Sequence, residues 1–113
     1  MISLKTFRQL ALSFAEVTEQ PHFEKTSFRV KNKIFVTLDE AAKIACVKFS
    51  ATDQSVYALI DASIIWPVPN KWGNQGWTLI DLKKIKKDLL SDALTTAYCG
   101  VAPKALAALY KKS

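Results

Sequence analysis

Apolar residues recur along the chain with two different periods, and the switches between them mark the elements. After Ser3, an N-cap residue type, Leu4, Phe7, Leu10, Ala11 and Phe14 follow at helical spacing. This predicts an amphipathic helix ending near Ala15. Glu16 to Phe23 reads as a loop, because Pro21 disfavours helix in the residue before it. From Phe23 to Val30 the period falls to two, with Phe28 and Val30 on one side and Ser27 and Arg29 on the other. Lys31-Asn32 reads as a tight turn, since asparagine tolerates positive φ. Lys33 to Asp39 alternates again, with Ile34, Val36 and Leu38 opposite Phe35 and Thr37. Asp39 to Ala42 is a second turn. Lys43 to Phe49 is a third strand, with Ala45, Val47 and Phe49 on one face. Short strands joined by short turns predict an antiparallel meander.

The helical period returns after Ser50, from Ala51 to about Asp61, with Val56, Leu59 and Ile60 as the apolar stripe. Two prolines, Pro67 and Pro69, then confine the segment from Ser63 to an edge strand or an extended piece. Asn70 to Gly76 is a loop, and Gly76 to Ile80 a short strand. Asp81 reads as the N-cap of a helix from Leu82 to Tyr98, with Leu82, Ile85, Leu89, Ala93 and Ala97 on its stripe and Gly100 closing it. Pro103 opens a last short helix reaching about Lys111. The order α-β-β-β-α-β-β-α-α predicts an α+β domain over residues 1–113, with helices packed on one face of an antiparallel sheet. The covered face is assigned Phe28, Val30, Ile34, Val36, Leu38, Val47 and Phe49. The opposite face is assigned Lys25, Arg29, Phe35, Thr37, Cys46 and Lys48.

Composition narrows the class. At 113 residues, half of them hydrophobic and 23% charged, the chain is one domain's worth and too apolar for disorder. Two cysteines, Cys46 and Cys99, do not make a disulfide framework. No apolar run approaches the roughly 18 residues of a membrane span. The opening residues lack the long apolar core of a signal peptide. A soluble, cytoplasmic, monomeric protein is expected.

Charge adds a direction. The net charge is +6, which favours polyanionic partners or simply a lysine-rich solvated surface. Residues 83–113 carry seven lysines against Asp88 and Asp92, and residues 22–38 carry Lys25, Arg29, Lys31 and Lys33 against Glu24. The rest of the chain is slightly acidic. Lys83-Lys84-Ile85-Lys86-Lys87 at a helix start would oppose the macrodipole, at about 0.3–1 kcal/mol each. That segment reads either as an anion-contacting patch or as a solvated helix start.

Little else in the sequence points to catalysis. One histidine, His22, and cysteines 53 positions apart do not match paired metal-ligand spacings, so neither metal nor cofactor is expected. A Cys–His nucleophile pair would need His22 beside Cys46 or Cys99, and both thiols read more simply as packing residues. Nucleophile-elbow and phosphate-loop motifs are absent. Asp39-Glu40 falls in a turn. A non-enzymatic protein is expected. Basic groups interleaved with aromatics on the open sheet face, by contrast, are what phosphate contact and base stacking require, although a half-solvated sheet face has the same pattern. In Asn70-Lys71-Trp72-Gly73-Asn74-Gln75-Gly76-Trp77, one ring is available to a partner, and Trp77 is expected to cover the core.

Several stretches resemble the MmcQ/YjbR family. They are Ala11-Leu12-Ser13-Phe14 with Val17-Thr18-Glu19 and Pro21-His22-Phe23, then Ser27-Phe28-Arg29-Val30 with Lys33-Ile34-Phe35-Val36. Lys71-Trp72-Gly73 with Gly76-Trp77, and Ala97-Tyr98 with Val101-Ala102-Pro103-Lys104, complete the match in order. Ala97 stands where many members carry serine, and no serine-dependent role is inferred. The resemblance implies a CyaY-like or secretion-chaperone-like α+β fold in a small bacterial protein, and DNA binding through a "double wing". The first wing would be the hairpin at Lys31, Asn32 and Lys33, the second the loop with Lys71, Trp72, Asn74 and Gln75. Lys31, Lys33 and Lys71 would contact phosphates, Arg29 a phosphate or base edge, and Trp72 would stack or wedge. Two other readings stay open: a protein-interaction or chaperone-like module using the open sheet face with Phe35 and Trp72, and a pocket for a small anionic ligand near His22, Arg29 and Trp72. DNA binding predicts that the two basic segments converge. A partner-binding module predicts that they point apart while aromatics cluster. An enzyme predicts His22 close to a cysteine or carboxylate in a cleft.

Overall fold

A computed structural model describes residues 1–110. Helix α1 (Leu4–Leu12) starts where Ser3 Oγ accepts the Thr6 backbone N–H at 3.1 Å. Six strands follow, interrupted by helices: β1 (Val17–His22), β2 (Lys25–Val30), β3 (Lys33–Asp39), β4 (Ile44–Lys48), β5 (Ile65–Pro67) and β6 (Trp77–Asp81). They form one antiparallel sheet in the order β1-β2-β3-β4-β6-β5. Helices α2 (Ala51–Ile60), α3 (Lys71–Asn74), α4 (Lys87–Val101) and α5 (Lys104–Ala107) complete the described residues. The class is α+β, as the periodicity predicts.

Helices α1 and α4 cover one face of the sheet. Phe7 meets Phe28 edge-to-face at 5.5 Å, and Phe14 stacks on Tyr98 at 4.8 Å. Tyr98 donates its hydroxyl to the Ala15 carbonyl at 2.8 Å, and Ala15 N–H returns a bond to Tyr110 at 2.8 Å. The buried aromatic cluster thus satisfies its own polar atoms, as a dry core requires.

Several expectations need correction. Residues 16–23, read as a loop, contain strand β1. Pro21 does not prevent this, because β1 is an edge strand where a missing N–H costs no ladder bond. The second correction concerns Phe35. Phe28 faces Val36 but Arg29 faces Ile34, so Phe35 is the extra residue of a β-bulge. The bulge turns Phe35 and Val36 to the same side. Phe35 is fully buried, edge-on to Phe14 and Tyr98, and Ile34 takes its place on the open face.

The helices differ in detail too. Helix α2 packs through Tyr57, which stacks on Phe49 at 4.8 Å and donates to Asp92 at 2.8 Å. Its predicted stripe, Val56, Leu59 and Ile60, faces solvent instead. Helix α4 begins at Lys87 rather than Leu82, so Lys83 and Lys84 lie in a turn and oppose no macrodipole. Asp81 ends β6, and its carboxylate accepts the Lys83 N–H at 2.9 Å. Gly100 lies inside α4; the helix stops at Ala102, before Pro103. The segment 70–76, read as a loop, holds the single-turn helix α3. The expected end of the last helix, Lys111, lies outside the described residues.

Candidate functional site

The antiparallel register decides which loops meet. Strand β3 starts at Lys33, β4 ends at Lys48, and β6 starts at Trp77 opposite Lys48. The β2–β3 turn, the end of β4 and the β5–β6 connection therefore share one end of the sheet. Lys31 and Asn32 have φ of 51° and 66°, the left-handed pair that closes a two-residue hairpin. Lys33 is exposed beside them. Strands β3 and β6 are separated only by β4, so about 10 Å lies between the two wing-bearing strands.

The second wing is held rigidly. A side chain on Gly73 would meet the Val68 carbonyl oxygen at 1.9 Å, and one on Gly76 (φ +103°) the Phe49 carbonyl oxygen at 1.9 Å. These glycines press α3 and its exit onto the sheet; they are not a phosphate cradle. The Gln54 amide donates to Gly73 O at 2.8 Å and Thr78 Oγ1 at 3.1 Å, pinning the segment from α2. Lys48 Nζ donates to the Gln75 carbonyl. Asn70 Oδ1 accepts the Trp72 N–H at 2.9 Å, capping α3. Trp72 is left half-exposed, with Lys71 Nζ 5.9 Å above its ring.

The predicted contact residues are thus partly brought together. Lys33, Lys71 and Trp72 share the wing end, with Lys48 between them. Lys31 is there too, but its ammonium is paired with Glu16 at 2.6 Å. Arg29 sits further along the open face, and its Nε donates to Ser27 Oγ at 2.9 Å. Phe35 is absent from that face. Lys83, in the turn after β6, lies at the opposite end of the sheet, where it reaches the Ala42 carbonyl at 2.8 Å and Asp81 at 3.1 Å. The lysines of this turn therefore do not join Lys33 and Lys71, whereas the C-terminal end of α4 returns to the wing end, where Gly100 and Val101 border Lys33 and Lys48. Burial works to raise the Asp81 pKa, but the hydrogen bonds and charge of Lys83 outweigh it and hold it below the ordinary aspartate value.

Beneath α3 the open face is hollowed into a cavity of about 590 Å³. Trp77, expected in the core, is half-buried here and lines the cavity with Trp72. His22 and Cys46 line it as well. Burial pushes the Cys46 thiol up to about 11, the opposite direction from the lowered pKa of an activated thiolate.

A family model described as YjbR matches residues 12–99. The chain belongs to the YjbR family. The crystal structure of Deinococcus radiodurans protein DR2400, which carries a DUF419 domain, is similar to this chain with a TM-score of 0.78. The similarity covers 97% of this chain and 86% of that one at 18% identity, a likeness of fold alone. No curated protein matches this YjbR chain. Among the described residues no helix is long and apolar enough to cross a membrane.

Lys48 as the bridge between the wings was not singled out from the sequence. Its strand parity places it on the open face, but only the β4–β6 pairing brings it beside the second wing.

Proposed function

We propose that this YjbR-family protein is a non-enzymatic DNA-binding protein that grips phosphates with the wing end of its sheet. The reading is carried by one observation: the β2–β3 turn with Lys33 and the α3 segment with Lys71, far apart in sequence, flank the same end of the sheet, with Lys48 at the end of β4 between them. The roughly 10 Å between the wing-bearing strands is close to the ~12 Å width of a major groove. Trp72 beside Lys71 offers a ring for stacking or wedging. No element is shaped as a recognition helix for base edges, so affinity is electrostatic and weakly sequence-selective. Lys31 contributes less than Lys33, because a phosphate must first displace Glu16.

The test is fluorescence anisotropy of a labelled ~20-bp duplex across a salt series. Three to four phosphate contacts give a slope of log K against log salt of about −3 to −4. Absence of binding at low salt and tens of micromolar protein overturns the reading. A protein-interaction role has two observations in its favour: the lysines of the turn after β6 point away from the first basic segment, as that reading predicts, and Val56, Leu59 and Ile60 on α2 face solvent.

A further inference from the structure

The cavity under α3 has a chemistry of its own. Its two ends differ. At one end lie His22 and Lys25, neighbours across the β1–β2 pair, with the Thr37 hydroxyl beyond them. At the other end Trp72 and Trp77 face Ile34 and Leu79. No aspartate or glutamate lines it. One ammonium and one imidazole therefore meet no compensating carboxylate there. The thiol of Cys46 lies within electrostatic reach of Lys25 but stays protonated, so it supplies no counter-charge.

Size and shape narrow the occupant. A volume of about 590 Å³ falls in the range of small-molecule sites, roughly 300–1,000 Å³. Two indole rings and the branched chains of Ile34, Val68 and Leu79 suit a flat apolar body. A single formal cation suits one negative charge, because a second would be partly desolvated without a partner. We propose that this cavity is a binding site for a small aromatic monocarboxylate, its carboxylate on Lys25 and His22 and its ring between Trp72, Trp77, Ile34 and Leu79. Lys33 and Lys71 take no part, so the site is separable from the wing end, although Trp72 borders both.

The experiment is calorimetric titration of the full chain with 1-naphthoate, and with 1-naphthamide as its uncharged isostere. Naphthoate binds saturably with one site per chain, and the amide binds at least ten-fold more weakly. Lys25→Met, a change at an exposed position, raises the naphthoate Kd about ten-fold and removes the preference over the amide. Ile34→Trp fills the apolar end and abolishes binding of both probes while far-ultraviolet circular dichroism stays native. If Ile34→Trp fails to fold, Val68→Trp on the cavity rim gives the same readout. Lys33→Ala leaves naphthoate binding unchanged whatever it does to duplex binding. No saturable heat with millimolar naphthoate overturns the proposal. So does equal affinity for the amide, or a Lys25→Met variant that binds naphthoate as the parent does.

Discussion

The β-bulge in β3 makes a prediction opposite to the one simple alternation makes. Strict alternation puts Ile34 in the core and Phe35 on the open face; the observed register reverses them. Phe35 is fully buried and touches Phe14 at 6.1 Å and Tyr98 at 5.6 Å between ring centroids. Truncating it to alanine leaves a cavity in a close-packed layer, at a cost of about 3–5 kcal/mol. Ile34 borders an open cavity and is only partly buried. Its truncation loses an incomplete side-chain burial, roughly 1 kcal/mol, and encloses no new void. In urea, with a slope of about 2 kcal/mol/M, Phe35→Ala lowers the unfolding midpoint by about 2 M and Ile34→Ala by about 0.5 M. Both variants remain folded in buffer if total stability exceeds about 5 kcal/mol. A larger shift for Ile34→Ala than for Phe35→Ala would refute the register and the placement of the open face built on it.

Other consequences are open to direct measurement. Gly76→Ala combines a left-handed backbone with a contact 1.9 Å from the Phe49 carbonyl oxygen; it destabilises by more than the ~1–2 kcal/mol of backbone strain alone, seen as a urea-midpoint loss above 0.5 M. Cys46, pushed up to about 11 by burial, alkylates far more slowly with iodoacetamide at pH 8 than an ordinary thiol, as peptide mapping would report. Burial, reinforced by Asp92, likewise raises Tyr57 to about 12. Both groups hold their protons more tightly when folded, so their contribution is complete below about pH 9 and is lost as pH rises through 11–12. Urea midpoints should therefore fall across that window, and Cys46→Val should flatten its lower part.

Legibility in the sequence followed the physics of each element. The α1 stripe, the Lys31-Asn32 turn and the α+β class were readable because periodicity and turn chemistry are local. The bulge was not, since both Ile34 and Phe35 are apolar and only pairing with β2 decides which is the extra residue. Strand β1 was hidden by Pro21, whose effect depends on the strand lying at an edge. Helix α2 misled in another way: Val56, Leu59 and Ile60 look like a core stripe, but Tyr57 and Gln54 make the contacts that anchor it. The lysines of residues 83–87 were visible as a cluster, while their position opposite the wings follows from the end of β6 at which the chain leaves the sheet.

The placement of charge at the wing end is the central claim, and a matched pair of variants tests it most directly. Lys33→Ala/Lys71→Ala and Lys83→Ala/Lys84→Ala each remove two positive charges, so net charge is the same in both. At low salt the account predicts that the wing variant loses duplex affinity and flattens the salt slope by about two units, while the far-end variant stays close to the parent. Equal losses in the two variants, or a greater loss at the far end, would contradict it.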